Sequence, residues 1–290
     1  MTTSSATAAL LRVEPGTRPD LAAVDARSTP GFSGAKADGK KALDASAEAM
    51  AELQERMYAE ARGGGRDRAV LLVLQGMDTS GKGGIVRHVV GVVGAQGATV
   101  TGFGVPTEEE RAHDFLWRIR KALPRSGTIG VFDRSHYEDV VAVRVQELVT
   151  EDVWRPRFGQ IVDFEAEVAA AGTRVVKVFL HISHAEQGAR LAERLGRPDK
   201  HWKYNPSDIE ARLRWDDYAA AWEEAVERTG TEQAPWHVVP ADRKWYARWA
   251  VSQLLVETLT ELDPAWPPAD FDVEAEKARL AATSRGESTP

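Results

Sequence analysis

The run from Leu71 to Gly84 reads Leu-Leu-Val-Leu-Gln-Gly-Met-Asp-Thr-Ser-Gly-Lys-Gly-Gly. A buried-strand pattern passes directly into a glycine-rich turn and then a lysine. Glycines let the backbone turn sharply so that its N–H groups face a concavity suited to phosphate oxygens. Gly76, Gly81 and Lys82 fit G-x-x-x-x-G-K, with Thr79 and Ser80 inside the loop. Gly83 stands where a Ser or Thr normally follows the lysine and holds Mg²⁺. The metal therefore needs another ligand, and Asp78 is the candidate, because an acid facing phosphate calls for a cation between them. The plainer alternative is a glycine-rich turn between strand and helix, which leaves the lysine unexplained.

A second cluster begins where Thr128-Ile129-Gly130-Val131-Phe132 ends in Asp133, followed by Arg134-Ser135-His136-Tyr137-Glu138-Asp139. Beside a phosphate loop, a strand-end aspartate can hold Mg²⁺ directly or through water. Arg134 then faces the transferring phosphoryl group with a planar fork of donors. Glu138 either holds metal waters or acceptor groups or complements a helix N-terminus. The helix-terminus reading is the better one for Asp139. His136 reads as a packed or hydrogen-bonded residue, since transfer between phosphates needs no strong base.

The third cluster is cationic. Ser183 and Glu186 have capping-box spacing and open a helix on which Arg190, Arg194 and Arg197 share one face; Lys200 and Lys203 extend it. A solvated helix with paired charges is the alternative, but Arg194 has Arg190 four residues before it instead of an acid. Gly196, Pro198 and Asn205-Pro206 bracket the segment, which can act as a lid at about 190–206. Trp202 either stacks on a base or anchors that lid.

Positioning these clusters requires an alternating framework. Strand patterns at 69–75, 99–103, 128–133, 174–182 and 236–239 interleave with helix patterns at 44–62, 82–93, 108–123, 139–149, 153–171 and 244–262. Such alternation implies an α/β fold, a parallel sheet wrapped by helices with ligands at the carboxyl ends of the strands. Residues 1–37, rich in Thr, Ser, Ala, Gly and Pro, read as a flexible arm or one ordered by docking. Residues 38–262 read as one phosphotransferase domain, and 263–290 as an acidic tail.

Whole-chain properties narrow the class. The 290 residues carry a net charge of −7, which argues against a broad nucleic-acid surface. There is no cysteine, so thiolate metal sites and thiol nucleophiles are excluded. No apolar segment approaches the ~20 residues a membrane span needs, and a cytoplasmic protein is expected.

Taken together, these segments resemble the type-two polyphosphate kinases, which move phosphoryl groups between inorganic polyphosphate and nucleotides. Gly76–Gly84 is similar to the family's phosphate loop, including the aspartate and the glycine after the lysine. Phe132–Val140 resembles its second motif, Arg197–Lys203 its lid, and His113–Arg118 and Ala234–Trp236 further signatures. The similarity covers roughly residues 29–262. It implies a thymidylate-kinase-like P-loop core with a helical lid, Mg²⁺ dependence and homo-oligomers. It assigns function to Asp78, Lys82, Asp133, Arg134, Arg190, Arg194 and Lys203, with Arg118 as a further phosphate contact. The continuation through Glu138 and Asp139 is similar to the branch accepting nucleoside monophosphates as well as diphosphates. The expected reaction is reversible transfer between polyphosphate and ADP or AMP. The rivals are an ATP-dependent nucleotide kinase and a binding module without turnover.

Overall fold

The computed structural model describes residues 7–94 and 96–283; the extreme parts of the arm and tail, 1–6 and 284–290, lie outside them. The elements run α1 (Thr7–Leu11), β1 (Arg12–Val13), α2 (Lys36–Arg62), β2 (Ala69–Gln75), α3 (Lys82–His88), β3 (Ala98–Gly102), α4 (Glu108–Arg111), α5 (Trp117–Lys121) and β4 (Ile129–Asp133). They continue with α6 (Ala142–Val145), α7 (Glu151–Trp154), α8 (Arg157–Ala170), β5 (Thr173–His181), α9 (His184–Leu195), α10 (Ser207–Leu213), α11 (Trp215–Thr229), β6 (Trp236–Pro240), α12 (Lys244–Leu262) and α13 (Val273–Thr283).

One sheet holds all six strands in the order β1-β6-β5-β2-β4-β3. β2 lies between β4 and β5, parallel to both, and is buried along its whole length, as its unbroken apolar run requires. Leu74 pairs with Asp133, so the phosphate loop and the acid at the end of β4 leave the sheet side by side. β3 is the outer parallel strand, and its Val100 is exposed. α12 packs on β5 and β6 and carries α2, α1 and α3. α8 and α11 pack together on the side of β5 reached by Lys177 and Phe179.

Several helices are more broken than periodicity suggests. The pattern at 108–123 forms α4 and α5 with a gap, and 82–93 forms α3 plus a 3-10 turn at Val90–Val92. The pattern at 139–149 yields a 3-10 turn at His136–Asp139 and the four-residue α6. The N-terminal segment, read as a flexible arm, is docked over its described part. β1 pairs antiparallel with β6, Leu11, Leu21 and Ala26 are buried, and Glu257 accepts the N–H groups of Thr7 and Ala8 at 2.8 and 2.9 Å. Phe32 adds edge contacts to Trp245 and Trp249. Scattered apolar residues seat that segment on a surface supplied by the far end of the chain. α13, in the tail, buries none of its residues.

A fully buried polar cluster underlies the segment after β4. Lys177 Nζ donates to Glu165 Oε2 at 2.6 Å, to the Thr229 carbonyl at 2.7 Å and to the Tyr137 hydroxyl at 3.0 Å. Glu165 also meets the Tyr137 hydroxyl and His136 Nε2. Burial works against the Glu165 charge, but Lys177 and His136 outweigh it and hold the carboxyl below its ordinary range.

Candidate active site

The loop between β2 and α3 owes its shape to residues with positive φ. Gly76 stands at +143° and Gly81 at +115°, conformations that favour glycine. A Cβ on Gly76 would come within 2.6 Å of the Leu180 carbonyl oxygen, so the loop leaves the strand only with glycine there. Thr79 lies at +66°, in the left-handed region without glycine's freedom. Its Oγ1 and the Oγ of Ser80 are buried without a hydrogen-bond partner. At Gly83 an added Cβ would meet nothing within 4 Å, so the first turn of α3 presents open backbone. That turn also leaves N–H groups without intrahelical acceptors.

Lys82 folds back on the loop and donates to the Gly76 carbonyl at 2.9 Å. Burial lowers the pKa of its ammonium and Arg134 adds to that, against the carboxylates of Asp78, Asp133 and Glu138. Arg134 donates through Nη2 to Asp78 Oδ1 at 2.8 Å. Burial opposes the Arg134 charge, but Glu138, Asp78 and Asp133 outweigh it and hold its pKa above the ordinary arginine value. Arg134 also has φ +64°, a strained bend that turns the chain out of β4. Behind it, the buried Gln75 amide donates to Glu138 Oε1 at 3.1 Å and accepts from Ser135. Burial raises the pKa of the Glu138 carboxyl against the pull of Arg134 and Lys82.

These residues open on a cavity of about 1160 Å³ at the carboxyl ends of the strands. Asp78, Thr79, Ser80, Gly81, Lys82, Gly83, Asp133 and Arg134 line one wall; Arg194, Arg197, Lys200 and Lys203 line the lid side. Gly76 and Glu138 stand behind the wall. The structure thus brings the three clusters to one space, although they are far apart in sequence.

Two expected phosphate contacts differ. Arg118 is 8% exposed and is not on the cavity wall. It donates to the Gly104 carbonyl at 2.9 Å, lies 3.6 Å from Glu110 and Asp139, and packs over the Phe103 ring. These three charged and aromatic neighbours hold it away from the phosphates it was expected to contact. Arg190 does border the cavity, but it is 5% exposed and its donors go to protein carbonyls and Glu186. Helical spacing put it on the lid's cationic face but could not show that loop carbonyls lie opposite. Asp139, for its part, sits between Arg118 and Arg157 and closes a short 3-10 turn.

Other wall residues come from segments the motifs did not mark. Asp208, at the start of α10, accepts from Arg194 at 3.2 Å. Burial, and then the Asp78 carboxylate, push its carboxyl pKa up. Arg87 and His88 lie one turn beyond the loop lysine, and Lys244 and Arg248 begin α12. The rule that ligands gather at strand ends points to the last pair, since they follow β6. Gln146 is also on the wall, and its amide donates to the hydroxyl of Tyr218 on α11, off the wall, at 2.9 Å.

Among the described residues, no three His, Asp or Glu side chains converge as a metal cage. The oxygen donors present still suit Mg²⁺, which keeps several waters and takes phosphates with one or two carboxylates. Asp78 and Asp133 supply such carboxylates, and the unpartnered Thr79 and Ser80 hydroxyls add hard oxygens.

Comparison with known proteins places the chain in a family. The family model of polyphosphate kinase 2 matches residues 33–265. The AMP/ADP-polyphosphate phosphotransferase of Meiothermus ruber is 46% identical over 88% of this chain and 94% of its own. The ADP-polyphosphate phosphotransferase of Rhodopseudomonas palustris is 39% identical over 88% of this chain and 91% of its own. The crystal structure of polyphosphate kinase 2 from Arthrobacter aurescens TC1 superposes with a TM-score of 0.92. It is 51% identical and covers 96% of this chain and 98% of that one.

Proposed function

The chain belongs to the polyphosphate kinase 2 family and is a polyphosphate:nucleotide phosphotransferase; from that premise we propose that it converts ADP to ATP and AMP to ADP, reversibly, with Mg²⁺. The observation that carries this is that one cavity is lined together by the phosphate loop, the Asp133-Arg134 strand end and the lid cations. A nucleotide's phosphates and an inorganic chain both find cations there.

A terminal phosphate oxygen of the nucleotide attacks the end phosphorus of the polyphosphate in line, and the anhydride bond behind that phosphorus breaks. The donor is left one phosphate shorter. Donor and product are both phosphoanhydrides, so the protein's task is to position reactants and neutralise charge. In this reading Lys82 leaves the Gly76 carbonyl to bridge phosphate oxygens, and Arg134 leaves Asp78 to follow the moving phosphoryl group. Arg194, Lys200 and Lys203 hold phosphates from the lid side. Asp78 and Asp133 are the residues that would hold Mg²⁺, which when bound offsets the charge of adjacent phosphates. Acceptance of AMP is supported by the name of the Meiothermus ruber relative.

We further propose a homo-oligomer, consistent with exposed Trp266, Phe271 and Leu280 in the C-terminal part. No described helix is long and apolar enough to cross a membrane, and we propose a cytoplasmic location.

The test is a panel with purified protein, Mg²⁺, polyphosphate as sole donor, and each nucleoside mono- and diphosphate as acceptor. ATP from ADP and ADP from AMP are expected. Transfer from ATP alone, with none from polyphosphate, would overturn the reading.

A further inference from the structure

One guanidinium, on α9 at the edge of the cavity, braces the phosphate loop. Arg190 Nη1 donates to the carbonyls of Thr79 at 2.9 Å and Ser80 at 3.0 Å. Nη2 donates to those of Ala241 at 2.7 Å and Asp242 at 3.1 Å, and Nε to Glu186 Oε1 at 2.8 Å. A guanidinium has five N–H groups, and all are taken by protein, leaving none for a phosphate.

The braced segment is the strained one. Thr79 at φ +66° holds a conformation that persists only where its surroundings over-determine it. Arg190 grips the carbonyls at Thr79 and at the next residue, and both residues' hydroxyls are buried and unpartnered. The anchor behind it is itself tied down. Asp242 accepts from Ser183 N–H at 2.8 Å and from Ser183 Oγ at 2.9 Å, which fixes the start of α9. The Asp242 N–H donates to the Ala26 carbonyl at 3.1 Å in the docked N-terminal segment. Loop, α9 and the end of β6 therefore form a closed ring with Arg190 at its centre.

We infer that Arg190 is a positioning residue for phosphoryl transfer, holding the Thr79–Ser80 part of the loop in its strained shape, and not a contact to the phosphates themselves. Its kinetic consequence rests on the function proposed above; its effect on the loop does not. Positioning is most of what catalyses this reaction, and a misplacement of 1 Å can cost on the order of 10²-fold in rate.

The experiment compares the full chain with Arg190→Met and Arg190→Lys. The readouts are kcat and KM for polyphosphate across a salt series, and amide hydrogen exchange over 76–84. The Met variant is expected to lose kcat on the order of 10²-fold, with the Lys variant between it and wild type. The KM for polyphosphate and its salt dependence stay at wild-type values, and exchange in the loop speeds up. A flattened salt dependence with unchanged loop exchange would make Arg190 a direct phosphate contact and overturn the inference. If the Met variant does not fold, the Lys variant decides by the same criteria. If the wild type transfers nothing from polyphosphate, the functional reading falls, and loop exchange alone decides for or against the brace.

Discussion

Arg134 and Asp78 hold each other across the mouth of the cavity, Nη2 to Oδ1 at 2.8 Å, joining the end of β4 to the loop after β2. The acid proposed to organise the metal and the cation proposed to follow the phosphoryl group are thus partners. Asp78→Asn and Asp133→Asn are each expected to lower kcat by on the order of 10² or more, the scale of losing one electrostatic stabiliser. Turnover against Mg²⁺ concentration checks this; near wild-type turnover at the same optimum removes that residue from the metal site. Two bare carboxylates would repel without a cation, but Asp78 already has Arg134. The metal-free melting temperature is therefore expected to rise or hold for Asp133→Asn and not to rise for Asp78→Asn.

Arg194→Ala is expected to raise the KM for polyphosphate and make activity less sensitive to salt. A lid cation acts through a field that ions screen over about 10 Å at 0.1 M. Arg194 donates to the Lys203 carbonyl at 3.1 Å and to Asp208 at 3.2 Å, so its loss both removes a cation and frees an acid beside the loop. Initial rates across a salt series measure this, and unchanged KM and salt dependence would return the stripe to surface ion pairing.

The pH profile carries a signature of Lys82. Burial lowers its pKa in the free protein, so its positive charge is lost, as pH rises, before an ordinary lysine would lose it. Bound phosphates favour the charged form and push the pKa back up. The alkaline fall of kcat/KM, which reports the free protein, is therefore expected at lower pH than that of kcat, which reports the complex. Coincident alkaline limbs would exclude Lys82 as the group responsible.

The Lys177–Glu165 pair offers a stability test remote from the phosphates. Lys177→Met leaves a buried carboxylate without its ammonium and is expected to cost about 3–5 kcal/mol. A double change, Lys177→Met with Glu165→Leu, removes both charges and is expected to cost clearly less than the two single changes combined. Denaturant unfolding of the four proteins measures the coupling, and strict additivity would rule the ion pair out.

What was legible in sequence follows from how local the signal is. β2, β4 and the loop between β2 and α3 are local patterns, and they form where the apolar runs and glycines put them. α10 and α11 are less legible, because breakers and charged residues dominate the sequence that leads into them. The Ser183 cap was half legible. Ser183 Oγ does accept from Glu186 N–H, but Glu186 turns to Arg190 and Asp242 takes the Ser183 N–H instead. Helical spacing identifies which side chains share a face and is silent on what lies opposite. Arg190 and Arg194 therefore both border the cavity, but the donors of Arg190 are absorbed by carbonyls and Glu186, and neither Asp208 nor Arg248 carries a local signal.

The pairing of Arg12 with His237 and Val13 with Trp236 has a consequence for how the chain is made. Ribosomes add ~5–20 residues per second, so roughly 10–45 s separate synthesis of the two strands. Through that interval Leu11, buried at the end, has no β6 or α12 to lie against, and Leu21 waits for α11, whose Glu223 accepts its N–H. Glu257, which receives the N–H groups of Thr7 and Ala8, is made later still. This N-terminal segment thus finds its place only after β6 and α12 have been made, and until then its buried apolar residues have nothing to cover them.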